Sequence, residues 1–268
     1  MLLLIERIFP FVSIAIFSLG IACKLRQWLT VPLPLPITIF PAPSNPLDRL
    51  TIFLKEALLF KSIFHQNRPL WLMSWAMHLS LGLIIIGHVA GIYFLGEQFM
   101  VLGVSQGESL TLSHSIGMSA GIIFLISLFG LMGRRLYDTE AGATSVLSNY
   151  FEIGLLIGIA LTGTFLRMSI TEPSLILIRE YIASLVHGRP IAIPNLPLFF
   201  WHFILLNILV VYLPYSKLRH GLGGIIIRIM LTEPPPEYPT SAGKPLRSTF
   251  AAPVNDGSLQ PFQARARR

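Results

Sequence analysis

The sequence predicts an all-α fold: an integral membrane bundle of five transmembrane helices, N-terminus outside and C-terminus in the cytoplasm. Three observations carry this. Of 268 residues 53% are hydrophobic and only 12% charged, with mean hydropathy +0.67, whereas an ordinary soluble domain carries about a quarter charged residues. Apolar stretches at 8–25, 71–95, 113–133, 150–167 and 198–215 approach the ~20 residues that cross about 30 Å of hydrocarbon. The basic residues are segregated. Lys24, Arg26, Arg49, Lys55, Lys61, Arg68, Arg134, Arg135, Lys217, Arg219 and Arg228 fall on one side with the tail's cations, and only Arg7, Arg167, Arg179 and Arg189 on the other. Loop Lys and Arg favour the cytoplasm, so the net charge of +7 is a topology signal and not a sign of nucleic-acid binding.

The first span ends near Gly20-Ile21-Ala22-Cys23, which faintly resembles a lipoprotein cleavage site. Glu6 beside Arg7 in the leader, and Lys24 and Arg26 after the apolar run, mark instead the cytoplasmic end of a retained helix. Cys23 is the one cysteine, which excludes an internal disulfide, an iron–sulphur cluster and C-x-x-C-H haem attachment. A connection over 26–70 comes next, proline-rich at 31–36. Asn45-Pro46 then reads as an N-cap and first helical residue. Leu47, Leu50, Leu54 and Leu58 share one face of that helix, with Asp48, Arg49, Lys55 and Glu56 opposite. It either lies on the membrane surface or receives a partner subunit.

The second and third spans are joined outside by a loop at 96–112 that has Glu97 and Glu108 but no basic residue; Arg134 and Arg135 end the third span in the cytoplasm. Outside again, Leu175, Ile178, Ile182 and Leu185 predict an interfacial helix before the fifth span. Residues 1–231 therefore form the five-helix domain, and 232–268, opened by Glu233-Pro-Pro-Pro-Glu237, a polar cytoplasmic tail without its own core. Gly117-x-x-x-Gly121 and Gly154-x-x-x-Gly158 offer surfaces for close helix packing or room for a flat macrocycle.

Four of the seven histidines carry chemistry. His78 and His88 lie on the second span, and His202 and His220 bracket the fifth. Polar side chains inside hydrocarbon are costly and usually face a site, and imidazole is a common axial ligand of haem iron. Ten residues separate His78 from His88 and eighteen separate His202 from His220, rises of about 15 and about 27 Å along continuous helices. The two spans run in opposite directions, so by depth His78 faces His220 near the cytoplasm and His88 faces His202 near the outside. The difference of about 12 Å requires a break in the fifth helix, which Pro214 can supply. Two antiparallel pairs at matching depth favour haem over isolated hydrogen-bonding histidines or a proton relay. His114, at the outer start of the third span, is a quinone-site candidate or an ordinary interfacial histidine. His65 and His187 lie in connections.

The segment Gly87-His88-Val89-Ala90-Gly91, with Leu213-Pro-Tyr-Ser-Lys-Leu-Arg-His220, resembles the gamma subunit of respiratory nitrate reductase. The resemblance implies five spans and two b haems, ligated by the pairs His78–His220 and His88–His202. Glu56-Ala-Leu-Leu-Phe-Lys-Ser-Ile-Phe64, Gly158-Ile-Ala-Leu-Thr-Gly-Thr-Phe-Leu-Arg167, and Gly188-Arg-Pro followed by Pro197-Leu-Phe-Phe-Trp-His202 look like the related DsrM-like membrane cytochrome of the sulphite-reduction-associated complex. The likeness covers about 45–229.

That likeness implies an electron-transfer subunit of a quinol-dependent oxidoreductase in the cytoplasmic membrane, with no side-chain catalysis. Such a subunit exchanges electrons between menaquinone/menaquinol and a cytoplasmic iron–sulphur subunit of heterodisulfide-reductase type, with further membrane or periplasmic subunits. A nitrate-reductase-type complex is the second reading. The quinone would sit near Gly87, His88 and His114; the outer lysine of the nitrate-enzyme family has no counterpart in 96–113. Arg134, Arg135, Lys217 and Arg219 lie where they could pair with propionates of the inner haem. A histidine-relay transporter and a redox-inactive anchor are the competing classes.

Overall fold

In the computed structural model, which describes residues 4–30, 45–221, 223 and 224, every regular element among those residues is helical. The five-helix unit comprises residues 1–31 and 58–221. After a π-helical turn at Leu4–Ile8, α1 runs Phe9–Thr30. The unit continues through α3 (Lys61–Gln66), α4 (Arg68–Phe94), α5 (Gln106–Tyr137), α6 (Thr139–Ala143), α7 (Leu147–Ser169), α8 (Glu172–Val186) and α9 (Pro197–Tyr212). Five helical segments are long and apolar enough to span a membrane: Glu6–Thr30, Arg68–Phe94, Gln106–Tyr137, Leu147–Ser169 and Pro197–Tyr215. Each of the five expected spans is there.

Local chemistry sets the helix ends. Asn67 caps α4, its side chain accepting the Leu70 N–H at 2.9 Å, with Pro69 in the first turn, where its missing N–H costs nothing. Leu95 and Gly96 both have positive φ (52° and 94°) and end that helix. Ser105 and Glu108 form a reciprocal capping box at the start of α5. The helix therefore begins inside the segment expected to be the outer loop, and a 3₁₀ turn at Gln98–Leu102 occupies much of the remainder.

The helices pack in the order α4, α5, α7, α9, α1. Phe124 and Leu128 of α5 with Ile153, Leu156 and Ala160 of α7 make the central core, against which Met77, Leu81 and Ile84 of α4 and Leu209 of α9 pack. Gly121 of the expected small-residue motif serves close packing: a Cβ there would lie 3.0 Å from Thr164 Oγ1. Gly154 meets nothing within 4 Å. The predicted interfacial helix is α8, but Ile178, Ile182 and Leu185 pack around Tyr181, Phe199 and Phe203. That face therefore rests on the N-terminal end of α9. Much of the bundle's outer surface is apolar and exposed, as at Ile85, Ile86 and Val89 of α4 and Ile122, Ile126 and Phe129 of α5. The chain is a multi-pass integral membrane protein.

The second unit comprises residues 32–57 and 222–268; within it the structure describes 45–57, 223 and 224. Helix α2 (Pro46–Leu59), which lies in this unit up to Ala57, starts at Asn45, whose Oδ1 accepts the Asp48 N–H at 2.8 Å. The cap is the expected one. Leu47, Leu50, Leu54 and Leu58 are all exposed. The proline-rich stretch 31–36 and the tail 232–268 lie outside the described residues.

Candidate histidine pairs between the second and fifth spans

His78 and His88 of the second span, His202 of the fifth and His220 just beyond its end meet as two pairs. The rings of His88 and His202 lie 6.2 Å apart between centroids and within 13° of parallel. Those of His78 and His220 lie 5.9 Å apart, edge to face at 84°. His202 is buried, His78 half-buried, and His88 and His220 exposed. Helices α4 and α9 are not close-packed neighbours among the described residues, so the histidines face each other across a gap.

The His78–His220 pair depends on how the fifth span ends. Tyr212 closes α9; a 3₁₀ turn at Leu213–Tyr215 comes next, then Ser216 in an extended conformation (φ −88°, ψ 168°), then a second 3₁₀ turn at Lys217–Arg219. Extended Ser216 supplies the turn, and buried Pro214 sits two residues ahead of it. The Ser216 hydroxyl accepts the Leu218 N–H at 3.1 Å. The Lys217 N–H donates to Glu152 Oε1 of α7 at 3.0 Å. His220 is thereby turned back towards His78, absorbing the mismatch in rise. Phe60, in the left-handed region at φ 47°, places its ring against His78 at 4.9 Å.

All four rings are oriented through Nδ1. His78 Nδ1 lies 2.7 Å from the Ser74 carbonyl, His88 Nδ1 2.7 Å from that of Ile84, His220 Nδ1 3.0 Å from that of Lys217 and His202 Nδ1 3.0 Å from that of Ile159. A carbonyl only accepts, so each Nδ1 donates its proton there, and Nε2 is the nitrogen left to face a metal. Such a bond from the far ring nitrogen prepares histidine as a metal ligand. Ligand nitrogens about 2 Å either side of one metal ion, with ring centroids about 1 Å further out, put centroids about 6 Å apart, which both pairs match. The residues fit two bis-histidine haems.

Other predicted residues are placed less directly. Gly87 is exposed and a Cβ there would meet nothing within 4 Å, leaving open space beside His88. His114 lies on α5, more than two turns in from Gln106, and is exposed. Arg134 pairs with Asp138 at 3.4 Å, Arg135 donates to Ser145 Oγ at 2.9 Å, and Arg219 Nη1 donates to the Pro214 carbonyl at 3.2 Å. His187 Nδ1 is engaged by the Ala183 carbonyl at 2.7 Å at the end of α8, and His65 lies on α3.

Two site residues escape sequence reasoning. Gly163 is one: a Cβ there would lie 2.9 Å from His202 Cε1. Glu152, buried in α7, is the other. The signals that point to them are a third glycine in the fourth span and a carboxylate just inside it.

The chain matches the nitrate reductase gamma subunit family over residues 60–230, a segment holding both histidine pairs. It belongs to that family. This member of the nitrate reductase gamma subunit family is also 28% identical to the Hdr-like menaquinol oxidoreductase cytochrome b-like subunit of Archaeoglobus fulgidus, over 81% of this chain and 76% of that protein. The protein of the same description from Archaeoglobus profundus is 25% identical over 80% of this chain and 74% of that one.

Proposed function

We propose that this nitrate reductase gamma family member is a diheme membrane cytochrome b. It would exchange electrons between the menaquinol pool and a cytoplasmic iron–sulphur subunit of heterodisulfide-reductase type. One observation carries the reading: two histidine pairs at the separation of bis-imidazole ligation, every Nδ1 committed to a carbonyl. The descriptions of the archaeal relatives, menaquinol oxidoreductase and Hdr-like, support the donor and the partner. Haem at each pair supplies one-electron carriage.

The residues of the chain do the rest. His78 and His220 hold the inner group, and His88 and His202 the outer. Gly87 leaves room beside His88 for the quinol ring, with His114 as a hydrogen-bond donor at the outer end of α5. Lys217 and Arg219, close to His220 in sequence, are candidates to neutralise carboxylates of the inner group, with Arg134 and Arg135 at the same membrane face. The basic residues of the connections support an outer N-terminus and a cytoplasmic C-terminus. Quinol oxidised on the outer side releases two protons there while two electrons leave inward. Each charge crossing the membrane is worth about 2.3 kcal/mol per 100 mV, so this direction stores energy as membrane potential. The DsrM-like resemblance supports a role in sulphur metabolism, and 232–268 is read as a polar cytoplasmic tail that is either disordered or bound by a partner.

The test is an oxidised-minus-reduced visible spectrum of the purified chain with a pyridine haemochrome count, beside His78→Ala and His88→Ala. Two b haems are expected, one lost in each variant. A folded, colourless protein from haem-replete cells would overturn the reading and favour a histidine relay.

A further inference from the structure

Arg167 lies near the outer end of α7, inside the fourth span. Its Nε is buried and has no hydrogen-bond partner, and its Nη2 makes a long 3.3 Å bond to Ser113 Oγ. Among the described residues no carboxylate pairs with it. The guanidinium rests over Gly117 of α5: a Cβ there would lie 3.4 Å from Nε and 3.7 Å from both Cζ and Nη2. An arginine in a membrane span with only a neutral hydroxyl for company is costly. Its planar fork of five donors is matched by a carboxylate.

The fold indicates which carboxylate. Gly163 abuts the His202 ring, and Arg167 is four residues further along the same helix, about 6 Å in rise and on nearly the same face. Arg167 thus lies one helical turn beyond the turn that touches His202, with its guanidinium turned to the α5 side, over Gly117 and Ser113. We propose that Arg167 binds a propionate carboxylate of the haem held by His88 and His202. This rests on the reading of those histidines as haem ligands. A cation at that edge favours the ferrous over the ferric haem, because reduction removes positive charge.

Redox titration of the purified full chain tests this, with Arg167→Gln, Arg167→Lys and His88→Ala in parallel. Both arginine variants should keep two haems. In Arg167→Gln the haem that His88→Ala eliminates should titrate lower, its ferric-to-ferrous ratio rising about tenfold at fixed potential, about 59 mV for one electron. The other haem should not move. Arg167→Lys should fall between, since a point charge does not reproduce a bidentate fork. If Arg167→Gln does not fold, the lysine variant decides: a lowered outer midpoint supports the assignment and an unmoved one overturns it. Two retained haems with unmoved midpoints in Arg167→Gln also overturn it, and weakened binding of a quinol analogue alongside would reassign Arg167 to the quinone carbonyl. His88→Ala retaining both haems would instead sink the underlying ligand assignment.

Discussion

Gly163 of α7 lies directly against the imidazole of His202: a Cβ there would stand 2.9 Å from Cε1 and 3.3 Å from Nδ1. The same helix accepts the His202 Nδ1–H through the Ile159 carbonyl at 3.0 Å. The ring is therefore held by one turn of α7 and admitted by the next. Gly163→Ala should push the ring off this seat at a cost of about 1–3 kcal/mol of overpacking, and diminish the outer haem while sparing the inner one. A haemochrome count with the difference spectrum reads this. Gly154→Ala on the same helix, where a Cβ meets nothing within 4 Å, should leave both haems in place.

Glu152 of α7 anchors the segment that carries His220. Its carboxylate accepts the Lys217 N–H at 3.0 Å, three residues before His220, and fastens the turned end of the fifth span to α7. Glu152→Ala leaves that N–H without its acceptor, at about 1–3 kcal/mol if it stays buried. Loss or spectral broadening of the haem at His78 and His220 is expected, with the outer haem unchanged. Glu152→Gln retains a carbonyl acceptor and should rescue the inner haem. Equal loss in the two variants would show that charge, and not the hydrogen bond, holds the turn.

These two relationships mark where sequence reading stops. The histidines and their pairing are legible because antiparallel spans turn spacing into depth. The mismatch in rise even calls for a break in the fifth helix near Pro214, and the chain turns at Ser216. Gly163 and Glu152 are not legible, since their roles depend on which face of α7 meets α9, and hydropathy carries no such information. The start of α5 is written in Ser105 and Glu108, but the apolar run begins later, so hydropathy reads the first turns as loop. For α8, periodicity identifies the helix and reads it as interfacial, but it does not reveal that the apolar face rests on Phe199 and Phe203 of α9.

Tyr181, on α8 outside the spans, is fully buried and donates to the Glu6 carbonyl at 2.7 Å. Burial, with the Glu6 carboxylate adding to it, pushes its hydroxyl from about 10 up to about 12. The unfolded chain then releases this proton first as pH rises, so the folded state binds more protons between pH 10 and 12 and stability falls with pH there. Tyr181→Phe should lower stability by about 0.5–1.5 kcal/mol below pH 10, and between pH 10 and 12 the gap to wild type should close and then reverse. Thermal melts in detergent at several pH values check it; a gap that stays constant would mean that Tyr181 does not contribute through its proton.

Gly20 of α1 faces Pro214, where a Cβ would come within 2.7 Å of the proline Cβ and 2.9 Å of its Cγ. Pro214 is buried and leads into the Ser216 turn, so the first span bears on the segment that delivers His220. Gly20→Ala should therefore weaken the inner haem site although residue 20 lies on neither histidine-bearing span. About 1–3 kcal/mol of overpacking is expected. Pro214→Gly in the same chain removes both carbons that the new methyl would meet, so the double variant should recover inner haem content relative to the sum of the two single losses. Residues in contact show such coupling while distant ones simply add. If the double variant shows only that sum, Gly20 acts on α1 alone and not through the turn.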